Sequence, residues 1–351
     1  MTYSAFDHPY LSGLLGDEAV AAEFSTAADI HAMLSFEAAL ARAEAIHGVI
    51  PKSAADRITE ACRGFFPDVA ALRRAIAVDG VVVPEFVRQL RAAVGGEAAT
   101  HVHFGATSQD VIDTSLMLRM KAVAELFGTR LGDVVSVLEE CDDQWGERML
   151  MGRTRMQAAI PITVSDRLRT WIEPLLDHKD RLEAMDRDLF AVQFGGAAGT
   201  LDKLKDKADD VRATLAEELA LADFPQWHSQ RSEVADFANA LSLVTGSLGK
   251  FGQDIALMAQ QGDEIELAGG GGSSAMPHKQ NPVAAEVLVA LARFNATQLS
   301  GVHQALVHEQ ERSGAAWTLE WLIMPQMAGA TAAALRLAAE LAGNIRRLGS
   351  G

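Results

Sequence analysis

Four consecutive glycines, Gly269 to Gly272, open onto Ser273-Ser274-Ala275-Met276-Pro277-His278-Lys279-Gln280-Asn281-Pro282, which gathers two hydroxyls, an imidazole, an amine and an amide in one short stretch. Glycine costs roughly 0.5–1 kcal/mol in a regular element. The run therefore predicts a loop whose N–H groups approach a ligand closely, the usual setting for anion chemistry. Asn281 reads as an N-cap and Pro282 as the first residue of a helix that continues to Arg312. That sets Ser273, Ser274 and Lys279 ahead of a helix N-terminus, where the dipole favours negative charge. A plain Gly-Ser linker before a capped helix is the competing reading, and the Met-Pro-His-Lys-Gln-Asn-Pro tail weighs against it. Two familiar motifs are excluded. A P-loop needs Ser or Thr directly after its lysine, where Gln280 stands, and a Ser-x-x-Lys acylation motif needs a closer lysine than Lys279 is to Ser274.

A second stretch, His101-Val102-His103-Phe104-Gly105-Ala106-Thr107-Ser108-Gln109-Asp110, brings two hydroxyls to another predicted helix start. Thr107-x-x-Asp110 has a capping-box pattern, and hydroxyls beside free N–H groups suit a carboxylate. Thr107 is either a plain cap or a binding group, and the segment alone leaves both open. In a third stretch, Gly152-Arg153-Thr154-Arg155-Met156-Gln157, Arg155 is a planar cation able to orient a carboxylate. With a pKa above about 12 it cannot protonate a leaving group. A surface salt bridge is its alternative role. A fourth, Trp227-His228-Ser229-Gln230-Arg231-Ser232-Glu233, opens a helix and offers Arg231 as an anion contact or as an ordinary first-turn arginine.

These segments resemble those of the fumarase/aspartase superfamily, whose members share a Gly-Ser-Ser-x-Met-Pro-x-Lys-x-Asn-Pro loop. With Ala275 and His278, the loop is most similar to the branch that holds adenylosuccinate lyase and the 3-carboxymuconate cycloisomerases. The resemblance implies an all-α fold, with an N-terminal helical domain over 1–105 and a central bundle of very long helices over 106–351. It also implies a homotetramer with active sites shared between subunits. The family's third, C-terminal helical domain is expected to be absent, because the chain stops soon after Asn344-Ile345-Arg346-Arg347. Carried over by position, Ser273, Lys279 and Arg155 are the expected catalytic residues. Thr107, Ser108, His103, Thr154, Gln157, Ser274, Asn281 and Arg231 are the expected substrate contacts. Amine-eliminating members have a histidine general acid where Arg155 stands, so the resemblance favours lactonisation of a cis,cis-muconate bearing a third carboxylate. A lyase of the adenylosuccinate or argininosuccinate type is the alternative, and a catalytically silent structural oligomer is the alternative of another class.

The elements that must hold these residues are helical. Prolines vanish between Pro84 and Pro161 and again between Pro225 and Pro277. From Thr107 to Trp145 the apolar residues keep helical spacing, which at about 1.5 Å per residue predicts a helix nearly 60 Å long. Further helices are expected over 165–190 with a kink at Pro174, 232–267, 282–312 and 322–348. No run alternates with period two, so a large sheet is not expected. The net charge of −16 and the lack of a basic tract argue against nucleic acid and anionic membrane as partners. No secretory leader and no membrane span of roughly 20 apolar residues is apparent, so a cytoplasmic protein is expected. Cys62 and Cys141 read as buried thiols. The ten histidines are scattered, and neither metal nor cofactor is expected.

Overall fold

The computed structural model describes residues 4–272, 276 and 280–350. Ser273, Ser274 and Lys279 lie outside the described residues. In chain order the helices are α1 (Ser12–Leu15), α2 (Glu18–Glu23), α3 (Thr26–Ile46), α4 (Lys52–Arg63), α5 (Val69–Asp79), α6 (Val83–Val94), α7 (Ser108–Trp145), α8 (Val164–Asp188), α9 (Ala208–Leu219), α10 (Ser232–Gln261), α11 (Val283–Gln304) and α12 (Gly314–Gly343). The strands form three separate antiparallel pairs: β1 (Met149–Thr154) with β2 (Gln157–Thr163), β3 (Ile265–Leu267) with β6 (Ile345–Leu348), and β4 (Gly271–Gly272) with β5 (Gln280–Asn281). The fold is all-α, as expected, and the strands among the described residues are short pairs at its margins.

Helix α7 sets the length of the molecule. Its 38 residues span about 57 Å at 1.5 Å each. Val111, Met117, Met120, Val123, Phe127, Leu131, Val134 and Leu138 recur at helical spacing and are buried along its whole length. Helices α3, α8 and α12 pack against it, and α10, α11 and α12 pack on one another. Helix α12 is long and apolar enough to cross a membrane, yet 67% of its most apolar window is buried inside the bundle. Burial of that extent marks a core helix, where an Ala-rich face packs tightly on neighbours.

The bundle has two chemically distinct ends. At one, Arg231 just ahead of α10 meets Asp113 in α7 and Glu320 in α12, and Trp317 Nε1 donates to Asp113 at 2.9 Å. At the other, Met151 N donates to Glu264 Oε1 at 2.6 Å, Gly349 N to the Glu264 carbonyl at 2.8 Å, and Ala268 N to the Asn344 carbonyl at 2.7 Å. These bonds gather the β1–β2 hairpin, β3, β6 and the start of the glycine run at a single end.

Several boundaries differ from the sequence expectation. Asn281 does not cap α11: its backbone is paired with Gly271 in a short ladder, and Pro282 takes the N-cap position. Helix α11 ends at Gln304 rather than Arg312, and α12 starts at Gly314 rather than near Leu322, because the Ser313 hydroxyl accepts from Ala316 N and caps it. Helix α10 stops at Gln261, where Gly262 adopts φ +84° and reverses the chain into β3. Pro174 lies within an unbroken α8.

Candidate active site

Asp110 is the hub of the Thr107 segment. Its carboxylate accepts the Thr107 N–H at 2.9 Å, Gly195 N–H at 3.0 Å and Gly196 N–H at 2.9 Å, and His228 Nε2 lies 2.7 Å from it. A fully buried acid with four donors fixes the α7 start against the 194–200 glycine turn and the stretch ahead of α10. The 194–200 turn is thereby tied through Gly195 and Gly196 to the start of α7. Gly105 must be glycine: its φ is +74°, and a Cβ there would meet Leu204 Cδ1 at 2.4 Å.

His103 is held from behind. Its Nδ1 lies 2.6 Å from Oε1 of Glu37, whose side chain is fully buried in α3, while Nε2 has no partner among the described residues. Two turns further along α3, burial together with the nearby Glu37 pushes the Glu44 carboxyl up to about 9, so it is a neutral acid at physiological pH.

Gln109 carries a further link that the sequence did not suggest. Its buried amide donates to Asp113 Oδ2 at 3.1 Å and to the His228 carbonyl at 2.9 Å, and its Oε1 accepts Arg312 Nε at 2.9 Å. Arg312 also donates to the Ala197 carbonyl at 3.3 Å. Residues 309–312 were expected at the end of the helix that continues to Arg312. They instead belong to the α11–α12 connection and bring Arg312 to the start of α7. Recognising Ser313 as an N-cap would have revealed the break between the two helices from sequence, though not the contact with Gln109.

Arg231, expected as an anion contact, has another task. It is 2% exposed, forms ion pairs with Asp113 at 2.6 Å and Glu320 at 2.5 Å, and stacks on the Trp227 ring at 4.7 Å. Burial opposes its charge, but Asp113 and Glu320 outweigh that and hold its pKa above the ordinary arginine value. The guanidinium is consumed by acids of two helices, α7 and α12, and presents nothing to a ligand.

Thr154, Arg155 and Gln157 lie at the far end. Thr154 pairs with Gln157, and Arg155 and Met156 form the two-residue turn between them with φ +48° and +67°. Positive φ at both central positions defines the type I′ geometry normally filled by Asn-Gly. Arg155 is thus held at an exposed tip in a conformation unfavourable for an arginine. Beneath it lies a cavity of about 680 Å³ lined by Arg153, Thr154, Arg155, Arg167 and Lys250, with Asp166, Asp254 and Glu264 as its acids. Asn281 lines a separate cavity of about 280 Å³ with Gly269, Gly270, Gly271 and Asn344.

The expected site residues therefore fall into two groups within one chain. Thr107, Ser108 and His103 cluster at the Arg231 end. The hairpin residues instead pack over Lys250–Gln261 at the far end of α10, where the glycine run also begins. No group of three or more potential metal ligands is found among the described residues. Cys62 and Cys141 are buried thiols, pushed by burial up to about 12 and about 11.

Comparison with known proteins agrees with this architecture. The lyase family profile matches residues 16–301. A 3-carboxy-cis,cis-muconate cycloisomerase of Pseudomonas aeruginosa is 42% identical over 90% of this chain and 71% of its own length. One from Pseudomonas putida is 39% identical over 92% of this chain and 78% of its own length. The crystal structure of the 3-carboxy-cis,cis-muconate lactonizing enzyme from Pseudomonas putida superposes with a TM-score of 0.90 at 38% identity, covering 96% of this chain and 77% of that one. A helical bundle that matches the lyase profile over most of its length, at 42% identity to a named relative and a TM-score of 0.90 to a solved structure, makes the chain a member of the lyase family within the fumarase/aspartase superfamily.

Proposed function

We propose that this protein is a cycloisomerase that converts 3-carboxy-cis,cis-muconate to a carboxymuconolactone by intramolecular carboxylate addition. The observation that carries this reading is Arg155 at the hairpin tip, a cation that binds carboxylate and cannot donate a proton. The named cycloisomerases at 42% and 39% identity support it.

In this mechanism one substrate carboxylate, oriented by Arg155, attacks the conjugated double bond through oxygen. The electron pair moves into the neighbouring carboxylate to give an enediolate. Lys279, Asn281 and main-chain N–H groups of the glycine run stabilise that charge, an effect worth roughly 3–4 kcal/mol per well-placed donor. Ser273 then delivers a proton to carbon, and Thr107 and Ser108 hold a further carboxylate. Ser274, Thr154 and Gln157 contribute polar contacts, and His103 presents Nε2 while Glu37 holds Nδ1. No metal or nucleotide takes part in these steps.

One chain alone cannot assemble these groups, because α7 separates Thr107 from the hairpin by about 57 Å of helix. We propose a homotetramer in which the Thr107 end of one chain meets the hairpin and glycine loop of others. Met156 and Ile160, 74% and 68% exposed on the hairpin, are the surface such a partner would cover. A cytoplasmic location fits a substrate of small polycarboxylates. Incubating the protein with 3-carboxy-cis,cis-muconate and following the conjugated ultraviolet absorbance tests the assignment, since lactonisation breaks the conjugation.

A further inference from the structure

A cavity of about 340 Å³ opens where α3, α5, α7 and α12 meet. None of the residues expected at the active site lines it. Its wall is mostly apolar, with Phe24, Ile76, Ile112, Leu116, Trp321 and Met324 as the main contributors. That volume falls in the range of roughly 300–1,000 Å³ that holds small molecules.

The charges on the wall are already spent. Asp29 accepts Ser115 Oγ at 2.8 Å and pairs with Arg119 Nη2 at 3.1 Å, and Arg119 lies over the Phe24 ring at 5.7 Å. Glu320 is held by Arg231. A charged ligand would find no unpaired counter-ion to offset its desolvation.

What the wall leaves open is Trp321. Its Nε1 is shielded from solvent and has no acceptor among the described residues. An indole nitrogen can only donate, and a buried donor without a partner is destabilising, so this group calls for an acceptor. Pro325 also lines the cavity and lies inside α12. Having no N–H, it leaves the Trp321 carbonyl without its intrahelical donor. The polar vacancies of an otherwise apolar wall thus fall at one residue.

We infer that this cavity is a binding site for a small uncharged ring compound bearing a hydrogen-bond acceptor, which pairs with Trp321 Nε1 while the apolar wall covers the ring. The site is independent of the proposed cycloisomerase activity.

Ligand-observed NMR titrations of the assembled protein with acetophenone, whose carbonyl accepts, and with ethylbenzene, which has the ring but no acceptor, test this. Acetophenone should bind saturably and about fivefold more tightly than ethylbenzene, as one neutral hydrogen bond should provide. Trp321→Phe keeps a ring and loses the N–H, so it should remove that preference while ethylbenzene still binds. Ile76→Trp, at the half-exposed rim, should fill the cavity and abolish binding of both probes. Melting temperatures should be nearly unchanged in the two variants. No saturable acetophenone binding, as when water or a neighbouring subunit occupies the cavity, overturns the inference. So does equal affinity for the two probes, or a preference that survives Trp321→Phe. Displacement of acetophenone by propane-1,2,3-tricarboxylate overturns it as well, because the cavity then belongs to the carboxylate site.

Discussion

Thr107 and Thr154 stand beyond opposite ends of the same 38-residue helix, the first capping its start and the second following its last turn on β1. A ligand the size of a muconate cannot touch both in one chain. Every chemical role proposed for the two segments then requires a second copy.

That separation predicts complementation. A Thr107→Val/Ser108→Ala variant and a Ser273→Ala variant should each be inactive alone. Co-assembled from denatured or co-expressed chains, they should recover a fraction of normal activity, because mixed assemblies contain sites with no altered residue. Activity assays after mixing, with light scattering to record assembly, check this. An active monomer contradicts it.

Arg155 separates chemistry from folding. Asn tolerates positive φ better than Arg, so Arg155→Asn should leave the hairpin and melting temperature intact or improved. Its kcat/KM should nevertheless fall by about tenfold or more, the equivalent of roughly 1.5–3 kcal/mol for a charged hydrogen bond. Arg155→Lys should recover only part, because the bidentate fork is gone. Steady-state kinetics beside thermal melts distinguish the two effects.

The fold was legible where burial obeys helical spacing. The apolar stripe from Val111 to Leu138 set the extent of α7, and Thr107-x-x-Asp110 marked its start. The β1–β2 hairpin was not legible, because its two-residue turn is Arg155-Met156 rather than Asn-Gly, and most of β2 is exposed and so shows no alternating pattern. Motif spacing marked Thr107, Ser108 and Arg155 as candidates. It could not show that Arg231 spends its charge on Asp113 and Glu320, since those partners lie 118 and 89 residues away in sequence. Arg312 was missed for the same reason, its partner Gln109 being 203 residues distant.

The structural role of Arg231 is open to direct test. Arg231→Met strands Asp113 and Glu320 in the core and should destabilise the protein by about 3–5 kcal/mol. Denaturant unfolding should show that loss. A stable Arg231→Met protein whose KM alone is raised would return Arg231 to the substrate.

Glu44 gives the stability a pH dependence. Its carboxyl titrates near 9 when folded, against 4.5 in the reference state. The folded chain therefore keeps a proton that the unfolded chain releases, and stability falls as pH rises between those values. The contribution is fully present below about 4.5 and gone above about 9, with a limiting slope of about 1.4 kcal/mol per pH unit. Unfolding free energies measured from pH 6 to 9 should decline less steeply in Glu44→Gln, which is neutral throughout. Parallel curves for the two proteins contradict this.

The central claim concerns what attacks carbon and what needs no proton to leave. Its most direct measurement compares kcat/KM for 3-carboxy-cis,cis-muconate, adenylosuccinate and argininosuccinate in chelator-treated protein, with Ser273→Ala as control. The account predicts loss of the muconate absorbance at an ordinary enzymatic rate, a decrease of at least about a hundredfold in kcat for Ser273→Ala, and no fumarate from either succinylated amine. Fumarate release from a succinylated amine at an enzymatic rate, with the muconate untouched, would contradict it.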